Sequence, residues 1–233
     1  MADATGAVKR FYMAASVGEG RRILLDGKTV KTPGRQDLVL PTDALAEAVA
    51  DEWNAQGDQI DPRAMALTGL ANAAIDRVTP DPASFARGLA TYGESDLLCY
   101  RAEGPAPLVA RQAEAWDPIL AWARQRYDVQ FQIASGITHR PQPAETVTRL
   151  SAAVAARDPF ALAGLSPLVT ISGSLLIALA LAEGAIPLDT AWAAATLDEQ
   201  WQAEHWGEDF EAAAALANRR RDFEAAARFL ALL

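Results

Sequence analysis

The chain has 233 residues, half of them apolar, with 30 acidic against 21 basic side chains, a net charge of −9 and a pI near 4.8. That length and apolar content can bury the core of one large domain or two small ones and exclude a disordered chain. The acidic balance argues against nucleic acid and anionic membranes as partners and admits a basic protein partner. One cysteine, Cys99, excludes an internal disulfide and fits a reducing compartment.

In chain order, Met1 to Val8 has neither the apolar run of a secretory signal nor the Arg- and Ser-rich character of a transit peptide. Lys9 to Leu40 reads as short strands. Arg22 to Leu25 leads into Asp26-Gly27, a hairpin signal because both central positions of a type I′ turn need φ > 0. Thr29 to Lys31 returns, Pro33-Gly34 turns again, and Asp37 to Leu40 supplies another short strand. Pro41-Thr42-Asp43 marks a helix start with Thr42 or Asp43 as N-cap. Leu45, Val49, Trp53 and Gln56 form its apolar stripe, and Gly57 ends it. Helical patterns occupy 64–77, 81–92, 108–126, 144–156, 168–182, 188–206 and 209–232, and Val129, Phe131 and Ile133 alternate as a strand would.

Residues 160–182 carry no charge, but Gly164, Ser166, Pro167, Thr170, Ser172, Gly173 and Ser174 interrupt them. The strongly apolar part, Leu175 to Ala182, is too short to span a bilayer, so a buried central helix is expected and membrane insertion is not. The fold class is α+β: a small antiparallel β-rich N-terminal domain, 1–41, followed by a larger all-helical domain, 42–233.

The densest segment runs from Leu197 to Glu211, with two tryptophans, a phenylalanine and six carboxylates. On a 100° wheel Trp192, Glu199 and Trp206 share one face, while Leu197, Trp201 and Glu204 share the opposite one. Large aromatics on both faces indicate a helix that packs on one side and meets a partner on the other. The same pattern also suits a central core helix with solvated acids. Glu199, if buried, needs a cationic or hydrogen-bonding partner.

Catalytic constellations are weak. The two histidines, His139 and His205, have no zinc-ligand spacing, and His205 with Glu208 and Asp209 suits a polar helix end. Ser172-Gly173-Ser174 lacks the glycines of a nucleophile elbow. Asp26-Gly27-Lys28-Thr29 ends like a phosphate loop, but Gly20 lies too far upstream. Glu94-Ser95-Asp96 is explained by an N-cap at Ser95 or Asp96, and Cys99, among Leu97, Leu98 and Tyr100, suits an inert buried thiol. No metal and no cofactor is expected. The competing enzymatic reading is a carboxylate-dependent hydrolase centred on Glu199, Glu204 and Glu208, which requires one acid desolvated in a cleft. A structural subunit of a permanent complex is a third reading.

Several separated motifs, taken in order, resemble one family. They are Lys9-Arg10-Phe11-Tyr12, Leu25 to Pro33, Leu40-Pro41-Thr42, Ala50-Asp51-Glu52-Trp53 with Gln56, and Ala74-Ile75-Asp76-Arg77-Val78. Asp96 to Arg101, Gly173-Ser174-Leu175, Asp198 to Gln202 and Trp206-Gly207 complete the series. The set is similar to the assembly chaperone that binds the α subunit of the ATP synthase catalytic head in mitochondria and α-proteobacteria, and it extends across almost the whole chain.

The resemblance implies a β-rich domain before a helical one, and a non-enzymatic, nucleotide-independent chaperone. Such a chaperone holds the free α subunit, masks its subunit interface and prevents aggregation until the β subunit replaces it. It implies a cytoplasmic protein in bacteria and a matrix protein in eukaryotic relatives, monomeric when free. The family's functional acid near the Trp-Gly motif carries over to Glu208-Asp209-Phe210-Glu211, with Glu211 preferred and Glu208 open. Glu211 also reads as a first-turn acid of the last helix. Asp209, Glu204 and Trp201 complete the expected partner surface, with Trp53, Asp76, Trp206 and Gly207 as structural motif residues. Trp53 is expected to fix the core between the β-region and the helices, and Arg219-Arg220-Arg221 to be a solvated face pairing with nearby acids. Phe223, Ala227 and Leu230 are expected to bury the final helix.

Overall fold

The computed structural model describes residues 8–136, 140–207 and 210–233. Short antiparallel strands occupy the N-terminal part and helices dominate the remainder, which is the α+β arrangement expected. Two compact units divide the chain. The first holds the described residues up to Asp81 together with Asp158–Gly164 and Arg228–Leu233, and the second holds Pro82–Arg157 and Leu165–Ala227.

In the first unit, β1 (Val8–Lys9) precedes a three-stranded sheet of β2 (Ala15–Val17), β3 (Ile23–Leu25) and β4 (Lys28–Thr29), ordered β2-β3-β4. Asp26 at φ 47° and Gly27 at φ 79° make the tight turn between β3 and β4, as the dipeptide requires. The Asp26 carboxylate also accepts from the Met13 and Ala14 amides at 3.0–3.1 Å, and those bonds hold it below the usual carboxylate range. The strand expected at Asp37–Leu40 is present as two isolated bridges, Lys31 to Asp37 and Arg22 to Val39.

The apolar face of this sheet, with Ile23, Leu25, Leu38 and Leu40 buried, lies against α1 (Asp43–Asn54), which contributes Leu45, Ala46 and Val49. The Thr42 hydroxyl caps α1 by accepting from the Leu45 amide at 3.1 Å. Beyond α1, β5 (Gln59–Ile60) pairs antiparallel with β1, and α2 (Ala66–Ala73) runs into a π-helical turn at Ala74–Val78. The compact unit that holds these strands continues through α2 to Asp81, because strands of two or three residues cannot bury an apolar face by themselves.

Side chains of the recurring motifs tie this unit together. The Arg10 guanidinium donates to the carbonyls of Tyr12, Met13, Asn54 and Gln56. The Glu52 carboxylate accepts from the Leu67 and Thr68 amides and the Thr68 hydroxyl, all at 2.8 Å, and so caps α2 from outside. Asn54 exchanges two bonds with the backbone of Ala15. Trp53 is half-buried against the core, edge-on to Tyr12 at 5.6 Å, and the Tyr12 hydroxyl donates to the Trp53 carbonyl at 2.6 Å.

The second unit opens with α3 (Pro82–Ala90), then β6 (Tyr100–Arg101) and α4 (Ala106–Tyr127). β6 pairs in parallel with β7 (Ala134–Ser135). The alternation at 129–133 does not make a strand: the backbone of Gln130 and Gln132 bonds to the side chains of Thr146 and Gln142 instead of to a neighbouring strand. α5 (Ala144–Ala155) packs on α3. α6 (Pro159–Ser172) and α7 (Leu175–Ala182) replace the single helix expected from 168 to 182, since Gly173 at φ 67° stops the first. The helix expected over 188–206 is likewise two, α8 (Leu188–Ala195) and α9 (Leu197–Trp206), parted at Thr196. α10 (Phe210–Ala231) is last; its end from Arg228, like the start of α6 up to Gly164, belongs to the first unit. Its fully buried positions are Phe223, Ala226 and Phe229, not Phe223, Ala227 and Leu230, because the contact stripe advances by three residues and not four.

α4 is the axis of this unit, meeting α7, α8 and α9. Trp116 is fully buried, and its indole N–H donates to the Ala194 carbonyl at 2.9 Å. α7 is buried but has only eight residues, and among the described residues no helix is long and apolar enough to cross a membrane. Asp96 is enclosed and accepts from the Leu98 amide (3.1 Å), the Ser174 hydroxyl (2.7 Å) and the Leu176 amide (3.0 Å), which joins the turn Leu97–Cys99 to the start of α7. Burial outweighs these bonds and pushes its carboxyl up to about 6. Burial likewise pushes the Cys99 thiol up to about 12, which suits an inert side chain.

Trp53→Ala should lower stability by about 2–3 kcal/mol, below the ~3–5 kcal/mol of a fully buried tryptophan; chemical denaturation measures it, and unchanged stability would remove Trp53 from the core. Asp96→Asn should cost ~1–3 kcal/mol by leaving an α7 amide unpaired. The raised Asp96 pKa means that the native state holds an extra proton between about 4 and 6, so its contribution to stability grows as pH falls through 6. The gap between wild type and Asp96→Asn should widen by about 1 kcal/mol from pH 7 to pH 5. Parallel denaturation curves with a pH-independent gap would refute it.

Candidate partner-binding surface

α9 is held on one side by α4. Leu197 is buried at its start, Gln112 donates to Asp198 at 2.8 Å, and Arg111 pairs with Glu204 at 2.6 Å. The Arg111 hydrogen bond holds the Glu204 carboxyl below the usual range. Trp201 is half-buried and stacks on His205 at 4.1 Å, and the His205 Nδ1 bonds the Trp201 carbonyl. This ring pair occupies the side of α9 that carries Glu204.

The other side of α9 faces α10. Both nitrogens of the Arg219 fork engage the two oxygens of Glu199, which is exposed and so does not need a partner to offset burial. From this pair toward Trp206 the two helices bound an open groove of about 530 Å³. Its lining is mostly apolar: Ala203 and Trp206 from α9, and Ala212, Ala213, Ala215 and Leu216 from α10. Trp206 is 78% exposed, and nearby Phe210 is 86% exposed. Gly207, at φ 91° and ψ 157°, ends α9 and turns the chain toward α10 with a backbone geometry open to glycine.

The expected residues therefore separate. Glu199 and Trp206 share the groove side of α9, and Trp201 and Glu204 lie on the α4 side. Trp192 does not continue the Glu199–Trp206 face; it belongs to α8 and is buried against Phe223 at 5.5 Å. The break at Thr196 makes a single wheel from 192 to 206 invalid. Glu211 is exposed in the first turn of α10, while His139, Glu208 and Asp209 lie outside the described residues.

Asp76 is in the other unit, where it accepts from the Thr32 hydroxyl at 2.6 Å and the Gly34 amide at 2.7 Å. A Cβ on Gly34 would sit 2.6 Å from that carboxylate, so the Pro33-Gly34 turn is shaped around Asp76. The basic triplet is engaged locally: Arg220 with Asp189 and Glu224, and Arg221 with Asn218.

Sequence reasoning passes over the alanine floor. Its signal is the run Ala212 to Ala217, six consecutive apolar residues that give one stretch of α10 no polar face. The ties from Arg111 and Gln112 have no sequence signal at all.

Chemically, this surface offers apolar contact edged by charge. Glu199 and Glu204 are engaged by different arginines, and Glu204 is held low where a general acid needs to be raised. The one strongly raised carboxyl among the described residues, Asp96, is enclosed and committed to three donors. Among the described residues no group of three His, Cys, Asp or Glu side chains is placed to hold a metal ion.

Residues 9–124 match the model of the ATP12 chaperone protein family. The structure is similar to Atp12 from Paracoccus denitrificans, with TM-score 0.92 and 43% identity over 97% of this chain and 98% of that one. An aspartate-to-lysine mutant of P. denitrificans Atp12p matches equally, at 43% identity and TM-score 0.92 over 97% of both chains. The Agrobacterium tumefaciens protein Atu1473 shares 41% identity and TM-score 0.92 over 97% of this chain and 86% of that one. On identity sustained over nearly the full length of both chains, this protein belongs to the ATP12 chaperone family.

Proposed function

We propose that this protein is an ATP synthase assembly chaperone that binds the free α subunit, covers its exposed subunit interface and is displaced by the β subunit. The observation that carries this reading is the apolar groove between α9 and α10, with Trp206 left uncovered in its wall. An unassembled subunit of a large oligomer exposes an apolar interface liable to self-association. A holdase must present a complementary apolar surface of its own. An open groove also suits exchange, since a partner held by a modest area can be replaced by one burying more. Glu199 in the groove lining, and Glu208, Asp209 and Glu211 close in sequence to Gly207 of that lining, favour a client segment with basic side chains next to its apolar ones. In this reading the protein works as a monomer in the bacterial cytoplasm, without nucleotide or cofactor.

The hydrolase reading fits poorly because its acids diverge: Glu199 is paired on the α10 side and Glu204 on the α4 side of one helix.

Trp206→Ala and Glu211→Lys should each leave the melting temperature unchanged, since both side chains are exposed. Each should weaken capture of isolated α subunit by about tenfold or more, as expected for an exposed aromatic anchor and a reversed charge at an interface. Titration of the purified α subunit, with its light-scattering aggregation as a second readout, measures this. Wild-type capture by both variants would place the client surface elsewhere.

A further inference from the structure

The first unit carries a second cleft, of about 320 Å³, walled by Phe11, Tyr12 and Trp53 and edged by Lys28, Lys31 and Asp26. The three rings step edge to face, Phe11 to Tyr12 at 5.5 Å and Tyr12 to Trp53 at 5.6 Å. Phe11 is 70% exposed and Met13 beside it is 85% exposed. The Trp53 indole N–H is buried without a hydrogen-bond partner, whereas the Tyr12 hydroxyl is already engaged.

Charge singles this cleft out. The chain's three lysines, Lys9, Lys28 and Lys31, all precede residue 32, and two of them edge the cleft. Residues 8–40 hold seven basic and three acidic side chains, while the chain from Pro41 onward holds 14 basic and 26 acidic ones. Two of those three acids are occupied: Asp26 by backbone amides, and Asp37 by Lys31 and Arg22. Lys28 makes no salt bridge with any described acid.

We infer that this aromatic cleft is a docking site for an extended acidic peptide segment of a partner protein, anchored by an aromatic or proline side chain among Phe11, Tyr12 and Trp53. The volume admits one or two side chains, which suits a peptide anchor and not a folded face. The exposed aromatic steps provide flat apolar contact at low entropic cost, and Lys28 supplies the charge that selects acid over base. A single-stranded nucleic acid would also stack on aromatics, but it needs a track of cations along its backbone, and the net charge of −9 repels it. The site shares no lining residue with the α9–α10 groove.

The test uses the full chain labelled with nitrogen-15, with the Trp53 indole signal assigned by its loss in Trp53→Phe. The probe is a nine-residue peptide of alternating Glu with Phe and Pro, compared with the same peptide carrying Lys for Glu and with a thymidine oligomer. The Glu peptide should shift the Trp53 signal saturably, and Lys28→Glu and Phe11→Ser should each weaken it about tenfold, the scale of one rim charge or one exposed anchor. Both variants should keep the wild-type melting temperature, since both side chains lie at the surface. Absence of a shift at millimolar peptide, an equal response to the Lys peptide, unchanged binding by Lys28→Glu, or tighter binding of the oligomer would each overturn the assignment.

Discussion

The fork of Arg219 on Glu199 is the interaction on which the candidate surface depends. The alanine-rich face of α10 and the Ala203–Trp206 side of α9 would gain free energy by closing on each other, because burial of apolar area is favourable and non-directional. A planar guanidinium paired with a carboxylate through two bonds instead sets a defined separation at one end of the groove. The second pair, Arg111 on Glu204, ties the other side of α9 to α4. Exposed ion pairs of this kind add little stability. Their contribution here is geometric: they keep an apolar groove uncovered, which a stability argument alone would never select.

The first unit shows a different use of polar side chains. Its strands are two or three residues long, too short to be held by ladder bonds alone. Arg10, Asp26, Glu52, Asn54 and Asp76 each reach across to backbone groups that no strand partner satisfies. Removal of any one leaves donors or acceptors unpaired, so these motif residues read as structure before they read as binding. Trp53 sits at the junction of the two roles, with its ring against the core and its edge forming a cleft wall.

Legibility in the sequence depends on how local each signal is. Asp26-Gly27 and the Thr42 cap are readable because a turn's φ > 0 and an N-cap's hydroxyl act within three residues. The division at Thr196 is not, because Ala-Ala-Ala-Thr contains no glycine or proline. There the Thr196 hydroxyl donates back to the Trp192 carbonyl and accepts from Gln200, a local bond pattern that competes with the regular ladder. The candidate surface is half legible. Its aromatics and acids announce themselves by density, but which of them share a side depends on that unseen break. The alanine floor carries no chemical signal beyond its lack of polarity.

The two candidate surfaces differ in character: an apolar groove bordered by the Glu199–Arg219 pair, and an aromatic cleft edged by Asp26, Lys28 and Lys31. A holdase that gripped its client through one broad apolar patch would bind tightly but could not be displaced readily, since affinity differences appear mainly in dissociation rates. Dividing recognition between two modest sites changes that relation. Two such sites engaged by one client would each dissociate quickly alone and would hold it together through effective concentration. A competitor that removes one contact then releases the other at its own fast rate.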